Sequence, residues 1–335
     1  MHHNEEMKLR IEQVNTTSEQ VIQEDLSRGL LSEQAFISPK YLYDELGSRL
    51  FEAITALPEY TPCRDERAIF DSALAQVLAE VPRDAALIDL GAGSCRKGAM
   101  LLAPLAVRHY IAIDISTAFL QGSLELMTRD APEIQMTGLG LDFSSGLPPG
   151  ILDAHLEPRM MRVFFFAGSS IGNFHPHEAE EFLRGLVLQH AAAAIIIGVD
   201  LVRDIPHLEA AYDDALGVTA AFNRNLLLHL NARLQADFRL ADWQHRALFN
   251  TDQSRIEMHL VAQEATQVNW GERSRAFEKG ECIHTENSYK YTAEEFRRLL
   301  QRAGFDSVRE TIHPSGRYAL FTALTDRNPA KTSLR

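Results

Sequence analysis

The chain has 335 residues, of which 45% are hydrophobic and 24% charged, which is ordinary for a globular protein long enough to form two domains. Asp and Glu outnumber Lys and Arg by 46 to 33, and the formal charge of −13 disfavours binding to the phosphate backbone of nucleic acids. No apolar run approaches the ~20 residues of a membrane-spanning helix, and the first residues contain neither a basic region nor an apolar signal segment. We therefore expect a cytoplasmic protein without nucleic-acid or membrane partners.

The first elements along the chain are predicted to be helical. Apolar side chains at helical spacing predict a helix over residues 17–31. Two prolines within five positions then break the segment at residues 54–64 and predict an aromatic-rich loop. From the pattern alone, Tyr43 and Tyr60 in this region are either packing residues or ligand contacts. A further helix over residues 65–78 leads into the next strand.

An apolar strand over residues 86–90 runs directly into a turn that contains Gly91 and Gly93, and a helix is predicted to begin near Lys97. Glycines allow a tight bend and a close approach of the backbone to a ligand, so this turn indicates a nucleotide site. The dinucleotide fingerprint would need a third glycine at the position of Arg96, which argues against NAD.

Acidic residues close the next two predicted strands. Asp114 lies in the strand at residues 110–115, where a carboxylate can accept hydrogen bonds from both hydroxyls of a ribose. Asp142 and Phe143 end the strand at residues 135–143, and this pair suits the exocyclic amine and the face of an adenine. Together with the glycine turn, these residues resemble class I S-adenosylmethionine-dependent methyltransferases.

The alternation of strands and helices predicts a doubly wound, Rossmann-like α/β fold with a parallel sheet. A fourth strand at residues 162–167 runs into a loop of small residues that ends at Asn173. A helix over residues 177–188 and a fifth strand at 192–201 follow. Open α/β sheets bind ligands beyond the carboxyl ends of their strands, so Asn173 is a candidate binding residue.

The alternation stops after residue 201. Residues 202–291 contain an amphipathic helical stretch and two alternating segments that predict antiparallel strands. From residue 292 onward, a helix and a hairpin complete the first pattern. We therefore predict a nucleotide-binding domain at residues 65–201 and 292–335, and a second, α+β domain for the substrate at residues 1–64 and 202–291.

The cysteines and histidines give no metal or disulfide signature. Cys63, Cys95 and Cys282 are too few and too far apart for a disulfide framework, and we interpret them as free thiols. His175 and His177, two positions apart, lack the partner residues of a known zinc motif. We therefore expect no metal.

Six short segments make the resemblance more specific: LPEYTPCR at 57–64, DLGAGS at 89–94, GSSIGN at 168–173, AYDDA at 211–215, VTAAFNRN at 218–225 and TENSYK at 285–290. With them, the chain resembles the L-histidine Nα-methyltransferases of ergothioneine biosynthesis over nearly its whole length. The resemblance implies that S-adenosylmethionine is the cofactor and that it contacts Gly91, Ser94, Lys97, Asp114, Asp142 and Phe143. It also implies an amino-acid site lined by Tyr43, Tyr60, Asn173, Tyr212, Met258, Glu286 and Ser288.

The chemistry of methyl transfer to an amine suits these residue types. The α-ammonium group of the substrate must lose its proton before each transfer, and Tyr43, or a water beside it, would accept or relay that proton. Glu286 would accept a hydrogen bond from a neutral imidazole N–H, and Ser288 would serve the other ring nitrogen. Asn173 and Tyr212 would hold the substrate carboxylate.

We therefore expect a monomer that methylates the α-amino group of histidine, giving trimethylhistidine (hercynine). Two alternatives stay open from the sequence. One is an Nα-methyltransferase for another amino acid such as tryptophan, against which the pair Glu286 and Met258 favours histidine. The other is a non-catalytic S-adenosylmethionine-binding regulator, which is expected to have lost the tyrosines and kept the glycines.

Overall fold

The computed structural model describes residues 9–14 and 18–326. The described chain divides into two compact units. The first, here called the sheet unit, comprises the described residues within Met1–Asn15, Pro62–Val202 and Tyr291–Arg335. The second, here called the insertion unit, comprises those within Thr16–Thr61 and Arg203–Lys290. Across the described ranges, no helix has both the length and the apolar character needed to cross a membrane.

The strands, in chain order, are β1 (Leu9–Gln13), β2 (Ala86–Leu90), β3 (His109–Asp114), β4 (Gln135–Gly140), β5 (Arg162–Phe166), β6 (Ala192–Asp200), β7 (Trp243–Asn250), β8 (Arg255–Ala262), β9 (Thr266–Trp270), β10 (Arg273–Phe277), β11 (Cys282–Tyr289), β12 (Ser307–Ile312) and β13 (Tyr318–Leu324). The α-helices are α1 (Glu19–Leu31), α2 (Glu45–Thr55), α3 (Pro62–Val77), α4 (Arg96–Leu102), α5 (Thr117–Asp130), α6 (Pro176–Leu188), α7 (Ile205–Ala210), α8 (Val218–Leu234) and α9 (Ala293–Ala303).

The sheet unit is built on one eight-stranded sheet in the order β1-β4-β3-β2-β5-β6-β13-β12. The first six strands in this order pair in parallel, whereas β13 is antiparallel to both β6 and β12. Every residue of β2 and of β6 is buried, as expected for central strands that helices cover on both faces. The predicted doubly wound α/β fold is confirmed.

Strand β1 corrects the predicted domain boundary. The sequence pattern assigns residues 1–64 to the second domain, but β1 pairs with β4 at the edge of the sheet unit, with Leu9 opposite Met136. Leu9 and Ile11 pack against the hydrophobic core of that unit. A Cβ atom at Gly138 would lie 2.7 Å from the Ile11 Cδ1 atom, so the glycine makes room for this strand. Two apolar side chains in five residues are too weak a pattern to predict an edge strand.

Most predicted elements are present with shifted ends. The prediction of one strand over residues 135–143 is wrong at its end, since β4 stops at Gly140 and leaves Asp142 and Phe143 in the following loop. The helix predicted over residues 17–31 is observed as α1, while residues 15–17 lie outside the described part of the chain. The predicted hairpin is observed as β12 and β13.

The insertion unit combines helices with two small antiparallel sheets. Helix α8 packs against α1 and α2, and one sheet has the order β11-β8-β7, while β9 and β10 form a separate pair. The mixed α+β character matches the pattern of residues 202–291, although β7, β9 and β10 were not predicted. In β7 and β10 the less exposed positions include His245 and Arg275, which interrupt the apolar alternation that identifies a strand, and β9 alternates over only five residues.

Candidate active site

A glycine turn follows β2 in the sheet unit. Gly91 and Gly93 have φ angles of +66° and +51°, in the left-handed region that glycine enters at little cost. The Gly91 N–H donates to the carbonyl of Ile113 at 2.8 Å, which ties the turn to β3. Ser94 lies in this turn, and Lys97 lies in the first turn of α4. The turn therefore lies at the carboxyl end of β2, with Ser94 and Lys97 beside it.

Asp114, the last residue of β3, is held beside the same turn. Its Oδ2 atom accepts the Gly93 N–H at 2.9 Å, and its Oδ1 atom accepts the Ser116 N–H at 3.0 Å. Burial raises the pKa of the Asp114 carboxyl, although these backbone donors oppose the shift. A carboxylate offers about four acceptor positions, which leaves capacity for the hydroxyls of a ribose.

Phe143 brings the loop after β4 to the glycine turn. A Cβ atom built on Gly91 would lie 3.8 Å from the Phe143 Cζ atom, so the ring lies next to the turn. The Phe143 ring is itself held by Phe166 and Phe182, with ring centroids 5.8 and 5.9 Å away. Beside it, the Asp142 Oδ1 atom accepts the Ser144 N–H at 2.9 Å. The structure thus groups Gly91, Asp114 and Phe143 at one end of the parallel sheet.

Lys97 forms an ion pair that was not predicted from the sequence. Its Nζ atom lies 2.5 Å from the Glu66 Oε2 atom and 3.5 Å from the Cys63 sulfur. Burial disfavours the charge of Lys97, but the Glu66 carboxylate outweighs it and holds the pKa of the ammonium above its ordinary value. Glu66 also accepts the Tyr318 hydroxyl at 2.6 Å and the Gly168 N–H at 3.0 Å. The charge of Lys97 is therefore fixed close to the loop that follows β5.

Asn173 lies at the end of that loop, in a short 3₁₀ helix, Ser170–Asn173. It is half-buried and belongs to the sheet unit, together with all six predicted cofactor residues. The other six residues predicted to bind the amino acid belong to the insertion unit.

Aromatic residues of the insertion unit form one continuous cluster. The ring of Tyr43 lies edge-on to Phe51 and Phe222, with centroids 5.5 Å from each. Tyr60 lies edge-on to Phe51 at 6.2 Å and to Tyr212 at 6.1 Å. The structure therefore brings the three predicted tyrosines together. Phe51 and Phe222 were missed, although Phe222 lies within the VTAAFNRN segment.

The antiparallel pairing of β11 with β8 positions the next three predicted residues. Glu286 is opposite Met258 and Ser288 is opposite Ile256, with no shift of register between them. Glu286 and Ser288 are thus on one face of β11, as the spacing of two residues predicts. A bulge between His284 and Glu286 interrupts the ladder just before this pair. Met258 is buried.

Glu286 is a buried acid whose Oε2 atom has no hydrogen-bond partner within the described residues. Burial raises the pKa of its carboxyl to about 7, while the positive charge of Lys290 acts in the opposite direction. Buried polar atoms in folded proteins almost always have a partner, so an unpaired carboxylate oxygen is suited to accept a donor from a ligand.

Ser288, Tyr212 and Lys290 form a closed triangle of hydrogen bonds. The Tyr212 hydroxyl lies 2.8 Å from the Ser288 Oγ atom, and the Lys290 Nζ atom lies 2.7 Å from Ser288 and 3.0 Å from Tyr212. The Tyr212 hydroxyl is thereby engaged with Ser288, the residue predicted to contact the substrate ring. Its predicted role in carboxylate binding stays a prediction. Lys290 was missed, although it ends the TENSYK segment.

Glu257, His259 and His284 offer ligand atoms within 4.8 Å of one another, a group that spacing alone did not reveal. Glu257 already accepts Arg255 at 2.8 Å, Asn250 at 2.9 Å and His259 at 3.0 Å. Although burial opposes ionisation, Arg255 and the other donors lower the pKa of Glu257 to about 2. The Arg255 guanidinium thus balances the charge of the carboxylate without a metal ion, and the expected absence of a metal stays a prediction.

Comparison with known proteins decides the family. Residues 22–325 match the family described as "Histidine-specific methyltransferase, SAM-dependent". The chain belongs to this family. It is 34% identical over 312 residues to "Histidine N-alpha-methyltransferase" of Mycolicibacterium smegmatis, covering 91% of this chain and 95% of the relative. The protein of the same name from Mycobacterium tuberculosis is 33% identical, over 90% of this chain and 94% of its own length.

A third relative is the "Ergothioneine biosynthesis protein 1" of Schizosaccharomyces pombe, which is 28% identical over 88% of this chain. This chain spans 39% of that longer protein. Membership of the histidine-specific methyltransferase family makes the protein an enzyme that uses S-adenosylmethionine. The group formed by Gly91, Asp114 and Phe143 fits this cofactor, since it combines a close backbone approach, a ribose acceptor and an aromatic face.

Proposed function

We propose that this protein catalyses S-adenosylmethionine-dependent methylation of the α-amino group of L-histidine, giving trimethylhistidine (hercynine) on the route to ergothioneine. The observation that carries the proposal is the buried Glu286, whose Oε2 atom lacks a partner among the described residues, two positions from Ser288 on the same strand face. The family and the names of the first two relatives support the same substrate.

The sheet unit would hold the cofactor through three kinds of contact. Asp114 would accept the ribose hydroxyls, Phe143 would pack against the adenine, and Asp142 would accept the adenine amine. Lys97, whose charge Glu66 maintains, is suited to a carboxylate such as that of the methionine portion. When bound, the cofactor supplies an electrophilic methyl group on a sulfonium.

Because the methyl group is already reactive, the protein mainly has to position an uncharged amine and exclude water. The α-ammonium of histidine is largely protonated near pH 7, so a proton must leave before each transfer. Tyr43 is placed by its edge-on contacts with Phe51 and Phe222. We assign to its hydroxyl the relay of that proton: the phenol oxygen takes the proton of the ammonium as it passes its own hydrogen to a water, directly or with a second water between the amine and the hydroxyl.

The ring of histidine would be recognised through its two different nitrogens. The ionised Glu286 accepts the ring N–H, and Ser288 serves the other nitrogen. Met258, opposite Glu286 in the ladder, adds an apolar surface for the ring. A site built around buried polar groups rejects amino acids that cannot pair with them, because those groups would be left without partners.

The test is mass spectrometry of the purified protein after incubation with S-adenosylmethionine and each of the twenty standard amino acids. Histidine should gain up to three methyl groups, located on the α-nitrogen by fragmentation. Methylation of tryptophan in preference to histidine would contradict the proposed substrate. Binding of S-adenosylmethionine without methylation of any amino acid would support a regulator instead.

A further inference from the structure

Lys290 is a buried lysine to which the proposed reaction assigns no role. It is 2% exposed, and its Nζ atom contacts the hydroxyl oxygens of Ser288 and Tyr212 at 2.7 and 3.0 Å. The same Nζ atom lies 4.9 Å from the centroid of the Tyr212 ring. Burying a lysine lowers the stability of the fold unless its charge is paired or hydrogen-bonded, so these contacts call for an explanation.

The direction of the hydrogen bonds in this triangle follows from the chemistry of its members. An ammonium group only donates, so Lys290 occupies one lone pair on each hydroxyl oxygen. The remaining bond, between Tyr212 and Ser288, needs one hydroxyl to donate to the other. A phenol is the stronger acid, and the contact with Lys290 polarises it further, so Tyr212 donates to Ser288.

In this arrangement both lone pairs of the Ser288 Oγ atom accept hydrogen bonds, one from Lys290 and one from Tyr212. The hydroxyl hydrogen of Ser288 then has no acceptor within the triangle. We propose that Lys290 is a positioning residue that makes Ser288 a hydrogen-bond donor toward the substrate ring. The site then requires a ring nitrogen with a lone pair at Ser288 and a ring N–H at Glu286. That combination exists in neutral imidazole and not in imidazolium, which has two N–H groups. The inference rests on the proposed function and refines its substrate to one protonation state.

The charge of Lys290 also favours neutral imidazole through its effect on Glu286. Its field opposes the effect of burial on the pKa of Glu286 and so favours the ionised carboxylate, which accepts the ring N–H. An imidazolium would bring a further positive charge toward Lys290 without a lone pair for Ser288. Lys290 therefore favours neutral imidazole through both of the residues that contact the ring.

Two ring analogues of histidine test the role of Ser288 as a donor. β-(4-Thiazolyl)alanine offers a nitrogen lone pair without an N–H, and β-(2-thienyl)alanine offers neither. Their dissociation constants are measured by calorimetry in the presence of S-adenosylhomocysteine, which prevents turnover. In the wild type, the thiazolyl compound should bind about tenfold more tightly, the effect of one hydrogen bond from a polarised donor. Equal binding of the two analogues would overturn the inference.

Lys290→Met tests the contribution of the lysine itself. The thiazolyl preference, meaning the ratio of the dissociation constant of the thienyl compound to that of the thiazolyl compound, should fall to less than about threefold. The reason is that Ser288 is then free to turn its hydrogen away, while thienylalanine binds as before. An equal loss for both analogues would mean that Lys290 holds the carboxylate that they share, and would contradict the inference. Lys279→Met, at an exposed lysine, is the matched control and should leave both constants unchanged.

If Lys290→Met fails to fold, Tyr212→Phe provides the second variant, since it removes only the hydroxyl that donates to Ser288. The thiazolyl preference should again fall severalfold, and an unchanged preference would contradict the network. Methylation of histidine by the wild type is measured alongside. Histidine turnover with no thiazolyl preference rejects only the role of Lys290, whereas a missing turnover rejects the proposed function.

Discussion

The two units position their functional side chains by different means. In the sheet unit, Asp114 is fixed by the backbone N–H groups of Gly93 and Ser116, and Gly91 by the carbonyl of a neighbouring strand. In the insertion unit, Tyr212 and Ser288 are 76 positions apart in sequence and are joined by a hydrogen bond, and Lys290 donates hydrogen bonds to both. Backbone geometry repeats across a fold class, whereas a side-chain network belongs to a particular family. We therefore expect the sheet unit to govern cofactor binding and the side-chain network of the insertion unit to govern the choice of amino acid.

Loss of the buried ion pair in the sheet unit should have the largest effect. Glu66→Ala should lower the free energy of unfolding by about 3–4 kcal/mol, because it leaves the charge of Lys97 and the Tyr318 hydroxyl without their acceptor. We place the loss in the lower part of the range for buried pairs since the Lys97 side chain is 34% exposed. Denaturant titration measures it.

The matched control is Glu80→Ala, which removes the exposed ion pair with Arg309 and should cost less than about 1 kcal/mol. Similar losses for the two variants would mean that the Glu66 pair does not stabilise the sheet unit more than a surface pair does.

Glu286→Gln should stabilise the protein at alkaline pH while impairing catalysis. The pKa of Glu286 is about 7 in the folded protein, against an ordinary 4.5, so ionisation destabilises the folded state increasingly from pH 4.5 to above 7. The glutamine should add about 3 kcal/mol at pH 8 and nothing near pH 4. Unfolding is measured at both pH values, with the exposed Glu264→Gln as control. A gain that does not depend on pH would reject the raised pKa.

Removing the hydroxyl of Tyr43 should slow the reaction more than it weakens binding. Tyr43→Phe keeps the ring contacts with Phe51 and Phe222 but loses the proposed proton acceptor, so kcat should fall by about 100-fold. Tyr41→Phe is the control, since the Tyr41 hydroxyl instead donates to Asp25 at 2.9 Å. An unchanged kcat for Tyr43→Phe would leave the tyrosine as a packing residue.

Asp114→Ala should act on the cofactor alone. Loss of a carboxylate that accepts ribose hydroxyls costs about 2 kcal/mol, or roughly 30-fold in affinity for S-adenosylmethionine. Calorimetry measures this change, with histidine affinity determined in parallel and Asp130→Ala, at an exposed position of α5, as control. Equal losses for cofactor and amino acid would contradict the division of roles between the two units.

The sequence locates the predicted cofactor residues because each lies at or just beyond the end of a strand with a clear apolar pattern, and their contact with the cofactor stays a prediction. Gly91, Asp114 and the pair Asp142 and Phe143 could be located by counting strands, and the parallel order brings the strand ends together. Glu66 and Lys290 could not be found in this way. Their roles depend on partners far away in sequence, Gly168 and Tyr212, and no local periodicity encodes such contacts.

The prediction for the amino-acid residues depended instead on family resemblance. The spacing of Glu286 and Ser288 predicts that they share a strand face, and the ladder agrees. Nothing in that spacing predicts that Glu286 is buried with an unpaired oxygen, because this depends on packing of the whole insertion unit. The edge strand β1 was missed for the same kind of reason, because the strand character of Leu9 and Ile11 depends on their pairing with β4, which is far away in sequence.

The measurement that tests the central claim most directly is the ratio of kcat/KM for histidine to that for tryptophan, in the wild type and in Glu286→Ala. Loss of a buried, charged hydrogen-bond acceptor should cost histidine about 1.5–3 kcal/mol in the transition state, while the larger space beside Met258 eases the entry of a bulkier ring. The account predicts that the ratio falls by roughly 10- to 150-fold in a variant that still unfolds cooperatively on heating. If both rates fall together and the ratio stays constant, Glu286 is structural and histidine is not recognised through its ring.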